Sequence, residues 1–338
     1  MKSKAAITAI LALACSAATA QAEVTLRFSD YGPNRGTRAA ALEWFASELE
    51  SRTNGEVKTE FFWGGSLVGG RDTLGGVSNG VADMGTIVGF FTPQELKFYN
   101  IGDLPVDNSD MKIGVHAMYD LSRENEALQK EFADAGVQYV TNYTTGPIHL
   151  ICTKEISSLD ELKGLKIRAS GPYGDTLARL GAEVLQMSQN DVYQALDTGL
   201  ADCSQTYYYI IEAYRHYEVA HHVLELDWGQ NMSFGIVINP DSYDMMNDEQ
   251  KAVFDDVSEE FLDHIAGALQ ADVDGSKSRM MEGIDGQKIT VNTLSAEDKT
   301  KLLEASRASI DAWVERVGPE GPAVLADYEQ RIKDMASK

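Results

Sequence analysis

The chain has 338 residues, with 52 acidic against 29 basic side chains and a formal charge of −23. A surface this acidic repels nucleic acid and anionic membranes, and such a chain must focus its few cations in one place to bind an anion. The three cysteines, Cys15, Cys152 and Cys203, are too few for a disulfide scaffold and show no spacing that suits zinc.

Residues 1–22 have the form of a secretory signal: Lys2 and Lys4, an apolar run from Ala5 to about Cys15, then Ala20-Gln21-Ala22 before Glu23. The apolar run is roughly half of what a membrane-spanning helix needs, and no later stretch has 18 uninterrupted apolar residues. A soluble, periplasmic mature chain is expected, with a lipid tether through Cys15 left open. Cleavage leaves Cys152 and Cys203, and the sequence is compatible with a bridge between them without demanding one. About 316 residues then remain, more than a single core of about 250 to 300 organises, so two domains are expected.

Residues 24–31 alternate as a strand, a Gly32-Pro33-Asn34-Arg35-Gly36 break follows, and Leu42, Phe45, Ala46 and Leu49 form a helical stripe. A second strand is predicted over 56–62, a helix over 73–78 ending at Gly80, and a strand over 84–88. Asn79-Gly-Val-Ala-Asp83 is echoed by Thr198-Gly-Leu-Ala-Asp202, each after a helical stretch, with a glycine placed to cap it. The echo points to two lobes of similar α/β construction with largely parallel sheets. From Asn247 to about Gly283 no proline interrupts the apolar series Val253, Phe254, Val257, Phe261, Ile265, Leu269 and Val273, which predicts one helix long enough to brace both lobes, with Gly267 and Gly275 as candidate kinks. Ser295-Ala-Glu-Asp298 opens a further helix to about Val317, and another follows Gly318-Pro-Glu-Gly321.

The glycine-rich run 64–72 has Walker-like spacing at Gly65 and Gly70, but Arg71 and Asp72 stand where Lys and Ser or Thr are needed, so it reads as a turn. His216, His221 and His222, with Glu225 and Asp227, fit no metal module and read as surface histidines before a strand. No nucleophile motif assembles. Arg168 is more informative. It ends a short strand over 165–168, and the carboxyl end of a strand in an open parallel sheet faces the ligand crevice. A guanidinium there presents a fixed fork to a carboxylate and keeps its charge when water is excluded.

Ile156-Ser-Ser-Leu-Asp-Glu-Leu-Lys-Gly-Leu-Lys-Ile-Arg168 and Asn190-Asp-Val-Tyr-Gln-Ala-Leu-Asp-Thr-Gly-Leu-Ala-Asp202, with the signal, the 79–83 turn and the long helix, resemble the substrate-binding proteins of tripartite ATP-independent periplasmic (TRAP) transporters, the DctP family. The resemblance implies a two-lobed periplasmic binding protein fold, each lobe a mainly parallel sheet flanked by helices, with a hinge and the long helix spanning both. The expected parts are a signal over 1–22, a first lobe over 23–143 plus about 236–262, and a second lobe over 144–235 plus about 263–338 with the C-terminal helices. The family binds a small organic anion and passes it to the small and large membrane subunits of an ion-driven permease, with no cofactor, metal or turnover.

Carried over residue by residue, the resemblance implies that Arg168 pairs with the ligand carboxylate and that His149 stands where many relatives have a second arginine. Gln205 or Thr206 replaces a ligand-touching asparagine, Tyr207 walls the pocket, and Tyr31, Phe90, Gln189 and Trp228 fill further contact positions. So many aromatics at strand exits suit an aromatic or keto acid better than a sugar acid. A sulfonate or zwitterion, or a periplasmic enzyme on the same fold, are the alternatives.

Overall fold

The computed structural model describes residues 23–337, so the signal reading lies outside the described residues. The chain opens with β1 (Val24–Ser29), α1 (Gly36–Arg52), β2 (Val57–Phe62), α2 (Thr73–Ser78), β3 (Met84–Val88), α3 (Met111–Glu124), α4 (Glu126–Asp134) and β4 (Gln138–Tyr143). It then builds β5 (His149–Cys152), β6 (Lys166–Arg168), α5 (Gly171–Arg179), β7 (Glu183–Leu185), α6 (Val192–Asp197), β8 (Cys203–Thr206), α7 (Tyr208–Ala213) and β9 (His222–Glu225). Finally come β10 (Phe234–Ile238), α8 (Pro240–Asp244), α9 (Asp248–Glu282), β11 (Thr290–Thr293), α10 (Ala296–Val317) and α11 (Gly321–Ala336).

Two sheets result, in the orders β2-β1-β3-β10-β4 and β11-β9-β5-β8-β6-β7. Each is parallel except for one strand, β10 in the first and β5 in the second, which runs antiparallel to both neighbours. The chain leaves the first sheet after β4 and returns to it at β10, and the two crossing segments hold each other. Thr144 Oγ1 donates to Gln230 Oε1 at 2.8 Å, and the Thr145 N–H donates to the Asn231 carbonyl at 3.1 Å. Gly229 is required there: a Cβ at this positive-φ position would stand 2.7 Å from the Tyr173 hydroxyl and 3.0 Å from the Val106 carbonyl.

The repeated motif has a structural counterpart. Gly80 and Gly199 both adopt φ +71° just beyond α2 and α6, and each motif's aspartate turns back on the strand beside it. Asp83 accepts the Arg27 N–H of β1 at 2.8 Å, and Asp202 accepts the Lys166 N–H of β6 at 2.9 Å. Phe28 pairs with Met84 as Ile167 pairs with Cys203, so β1-α1-β2-α2-β3 and β6-α5-β7-α6-β8 are the same unit built twice. Arg168 therefore occupies in the second sheet the place that Ser29 holds in the first.

The helix α9 runs unbroken for 35 residues through Gly267 and Gly275, about 52 Å at 1.5 Å per residue. Asn247 and Gln250 close a full capping box at its start. Phe254 and Phe261 pack edge-on against Phe45 of α1, with ring centroids at 5.8 and 6.0 Å, beside the first sheet. Further on, Lys277 reaches Glu225 of β9 at 2.5 Å and Arg279 pairs with Glu212 of α7 at 2.6 Å, so the helix braces both sheets. Helix α10 packs on α5 of the second sheet, whereas α11 lies on α3 beside the first. No helix among the described residues is long and apolar enough to cross a membrane.

Candidate functional site

Strand direction gathers aromatics on one edge of the first sheet. Tyr31 follows β1, Phe90 follows β3 and Tyr143 ends β4, while Phe234 begins the antiparallel β10 and so reaches the same edge. Phe234 stacks on Tyr143 at 5.3 Å and lies 6.2 Å from both Tyr31 and Phe90. The Tyr143 hydroxyl donates to that of Tyr31 at 3.4 Å. Phe90, 37% exposed, is the open end of this row. Arg38 of α1 lies over the Tyr31 ring at 5.5 Å, but its charge is answered locally, 2.5 Å from Oδ1 of the fully buried Asp30. Burial pushes the Tyr31 phenol up to about 12, so the row is uncharged.

On the facing edge, the register sets Arg168 beside Ser204, and Thr206 beside His149. Alternation puts these side chains on one face and Gln205 on the other. Arg168 is half-buried, and its Nε and Nη2 donate to the Met187 carbonyl at 3.3 and 3.2 Å. Among the described residues no carboxylate lies within salt-bridge distance of it. Burial pulls the guanidinium below its ordinary value, with the Tyr207 hydroxyl opposing. An arginine nevertheless stays charged, so the fold holds an unanswered cation in a poorly solvated place. Tyr207 and Tyr209, both half-buried with rings 4.8 Å apart, complete the edge. Burial pushes both phenols above their ordinary value, and the Tyr31 hydroxyl of the first edge adds to the rise in each. The Arg35 guanidinium over the Tyr214 ring at 4.9 Å adds a contact between the β1–α1 loop and the end of α7.

The remaining predicted residues fall in different places. The buried Gln205 accepts the Ser170 N–H at 3.1 Å, and the buried Thr206 donates to the Tyr207 carbonyl at 3.4 Å. Gln189 opens the turn before α6, its side-chain nitrogen buried without a partner among the described residues. His149 is on the Arg168 face but two strands away, its ring 5.1 Å from Tyr208 and its Nδ1 accepting the Leu226 N–H at 3.3 Å. Burial drives it down to about 4, against Asp227 and Glu225, so it is neutral at pH 7. Trp228 is corrected: it is 0% exposed, edge-on to Tyr173 at 4.9 Å with its indole N–H on Ser306 of α10 at 2.9 Å, a core placement. Tyr208 is likewise core.

The surface reading of the histidines fails for His216. It is 0% exposed and neither ring nitrogen has a partner among the described residues. Burial, and then the charge of Arg168, push it down to about 4. The inward fold follows Arg215, a non-glycine residue at φ +58°, which no periodicity in the sequence announces. His222 meets Thr290 at 2.8 Å, and no group of three or more His, Cys, Asp or Glu among the described residues is arranged to hold a metal. Cys152 and Cys203, partners in register, form a disulfide at the edge of the second sheet opposite Thr206. A surface cavity of about 820 Å³ around Leu67, Arg71, Asn79 and Glu95 includes none of the predicted site residues.

Residues 28–316 match the family model for bacterial extracellular solute-binding proteins, family 7. The chain belongs to that family. Among curated relatives, an uncharacterized protein of Salmonella typhimurium is 28% identical over 201 residues, 59% of this chain and 61% of its own. The ectoine-binding periplasmic protein TeaA of Halomonas elongata is 22% identical over 216 residues, 63% of this chain and 62% of its own. The matched part thus spans less than two thirds of either relative. Among solved structures, a TRAP periplasmic solute-binding protein from Desulfovibrio salexigens has a TM-score of 0.81 at 24% identity, covering 92% of this chain and 96% of that one. A TRAP solute-binding protein from Rhodoferax ferrireducens, in complex with copurified benzoate, also reaches 0.81 at 18% identity, covering 93% and 99%. These likenesses fix the two-lobed α/β fold.

Proposed function

We propose that this family-7 chain is the extracytoplasmic receptor of a TRAP-type transporter, which binds a small organic carboxylate between its lobes and releases it to the small and large membrane subunits of an ion-driven permease. The observation that carries the reading is Arg168, a cation held at the crevice edge whose hydrogen bonds among the described residues go to the Met187 carbonyl alone. A fold retains so poorly solvated a charge at a cost, which an anionic ligand offsets. Each charge-assisted hydrogen bond contributes about 1.5 to 3 kcal/mol, so a bidentate carboxylate supplies much of the roughly 8 kcal/mol of micromolar binding.

The facing row of Tyr31, Phe234 and Phe90 supports a ligand with a flat or apolar body, and a structural neighbour with benzoate points the same way. The reading includes binding and closure and no chemical turnover; closure would tighten contacts such as Arg35 on Tyr214.

A thermal-shift screen of aromatic and aliphatic carboxylates, each beside its neutral amide and its sulfonate, tests the reading. A carboxylate at 100 times its Kd should add about 2.7 kcal/mol of stability, and its amide nothing. Stabilisation by amides or by organic cations, with none by carboxylates, contradicts it.

A further inference from the structure

One loop of the first lobe reaches across to the second. Residues 32–36, between β1 and α1, carry Arg35, whose guanidinium lies 4.9 Å over the ring of Tyr214 at the end of α7. Arg35 is exposed, and among the described residues no carboxylate lies within salt-bridge distance of it. In a chain with 52 acidic side chains, a cation set on a ring and not on a carboxylate has to be put there by its surroundings. The fully buried Asp30 accepts the Gly32 N–H at 2.8 Å and the Thr86 hydroxyl at 2.8 Å, and it pairs with Arg38 at 2.5 Å. Arg38 in turn donates to the Pro33 carbonyl at 2.8 Å, and a Cβ on Gly32 would stand 2.5 Å from its Nη2, so the loop is folded tightly over that guanidinium. At the far end of the loop the Thr37 hydroxyl donates to Asp272 of α9. About two turns further along the same helix, Arg279 pairs at 2.6 Å with Glu212, two residues before Tyr214. Arg35 and Tyr214 are thus each fixed from behind, and α9 holds both.

We propose that Arg35 on Tyr214 is an interlobe latch that sets how long the ligand stays, and that Asp30 and Arg38 are positioning residues that aim it. The inference rests on the receptor reading above and assigns ligand release to residues outside the Arg168 edge. A cation is attracted to the face of an aromatic ring without needing a second charge, and the contact joins an exposed loop of one lobe to a helix end of the other. A ligand held between two lobes leaves when they part, so a contact broken on parting adds to the barrier against release. Arrival does not require the contact, so the association rate is independent of it. An Arg35 that merely drew anions toward the crevice would do the opposite, changing association and its salt dependence while leaving release alone.

Stopped-flow kinetics on the full chain test this, with benzoate or whichever carboxylate of the thermal-shift screen stabilises wild type most. Tyr214→Leu and Arg35→Gln should each raise the dissociation rate about three- to tenfold and leave the association rate as it is. Tyr214→Phe, which keeps the ring face, should retain the wild-type rates, and the double variant Arg35→Gln with Tyr214→Leu should release no faster than either single one. Arg38→Lys keeps a charge beside Asp30 but loses the bond to Pro33, so it should speed release in wild type and not in Tyr214→Leu. Circular dichroism establishes that each variant is folded, and because Arg35 is exposed, Arg35→Gln carries the test if Tyr214→Leu folds poorly. An unchanged dissociation rate in folded Arg35→Gln, or a slower, salt-dependent association as its one effect, overturns the latch while the receptor reading stands, since the acid still binds wild type. Faster release by Arg38→Lys that persists in Tyr214→Leu overturns the positioning role. Failure of every carboxylate to bind wild type overturns both the latch and the receptor reading.

Discussion

A neutral histidine and a protonated carboxyl are buried in this chain by the same physics with opposite signs, and pH separates them. His216 and His149 are held down to about 4 by burial, below an ordinary 6.5. The unfolded chain takes up protons there that the folded chain refuses, so their contribution is whole above pH 6.5 and is lost as pH falls toward 4. At about 1.4 kcal/mol per pH unit, wild type should lose up to about 3 kcal/mol relative to His216→Phe over that window, as thermal unfolding would register. Asp103 runs the other way. Its fully buried carboxyl, with neither oxygen hydrogen-bonded among the described residues, is pushed up to about 7 by burial, so the folded chain binds the extra proton and stability falls as pH rises from about 4 through 7. Asp103→Asn should therefore stabilise by about 2 to 4 kcal/mol at pH 8 and leave stability unchanged below pH 4. A gain over wild type no larger at pH 8 than at pH 4 would show that Asp103 is answered by a partner.

At the scale of elements, the doubled β-α-β-α-β unit makes a matched prediction. Gly80 and Gly199 share φ +71°, and among the described residues no atom beyond the chain neighbours of either lies within 4 Å of where a Cβ would stand, so alanine there meets only the left-handed backbone penalty. Each substitution should cost about 1 kcal/mol in chemical denaturation; a much smaller loss at either position would mean that the turn relaxes. These elements were legible because periodicity and caps are local: the long helix, its Asn247 start and the 79–83 echo all stand in the letters. The return of about 236–262 to the first lobe was expected, but the antiparallel position of β10 between β3 and β4 was not, since a buried strand such as Phe-Gly-Ile-Val-Ile carries no direction in its pattern. That same pairing brings Phe234 into the aromatic row, a residue the sequence reading passed over. Trp228 misled for a related reason, because a strand exit fixes which edge a residue is near and not whether Tyr173 and Ser306 have already filled its surroundings.

For the whole molecule, the disulfide and the site lie at opposite ends of β8, which separates stability from binding. Closing a loop over a sequence separation of 51 residues is worth about 4 kcal/mol in the chain-entropy account. Cys152→Ser with Cys203→Ser should lower the melting temperature accordingly, while ligand affinity, read by titration, stays the same; a large loss of affinity would show that the bridge shapes the crevice edge. The two facing edges, the aromatic row on one and Arg168 on the other, make sense together only if something anionic and partly apolar sits between them. The most direct measurement is the affinity of Arg168→Ala for the carboxylate that stabilises wild type best. At least a hundredfold loss is expected, about 2.7 kcal/mol, in a variant whose ligand-free melting temperature is equal to or above that of wild type, because an unanswered, half-buried cation has been removed. Undiminished affinity in a folded Arg168→Ala protein would contradict it.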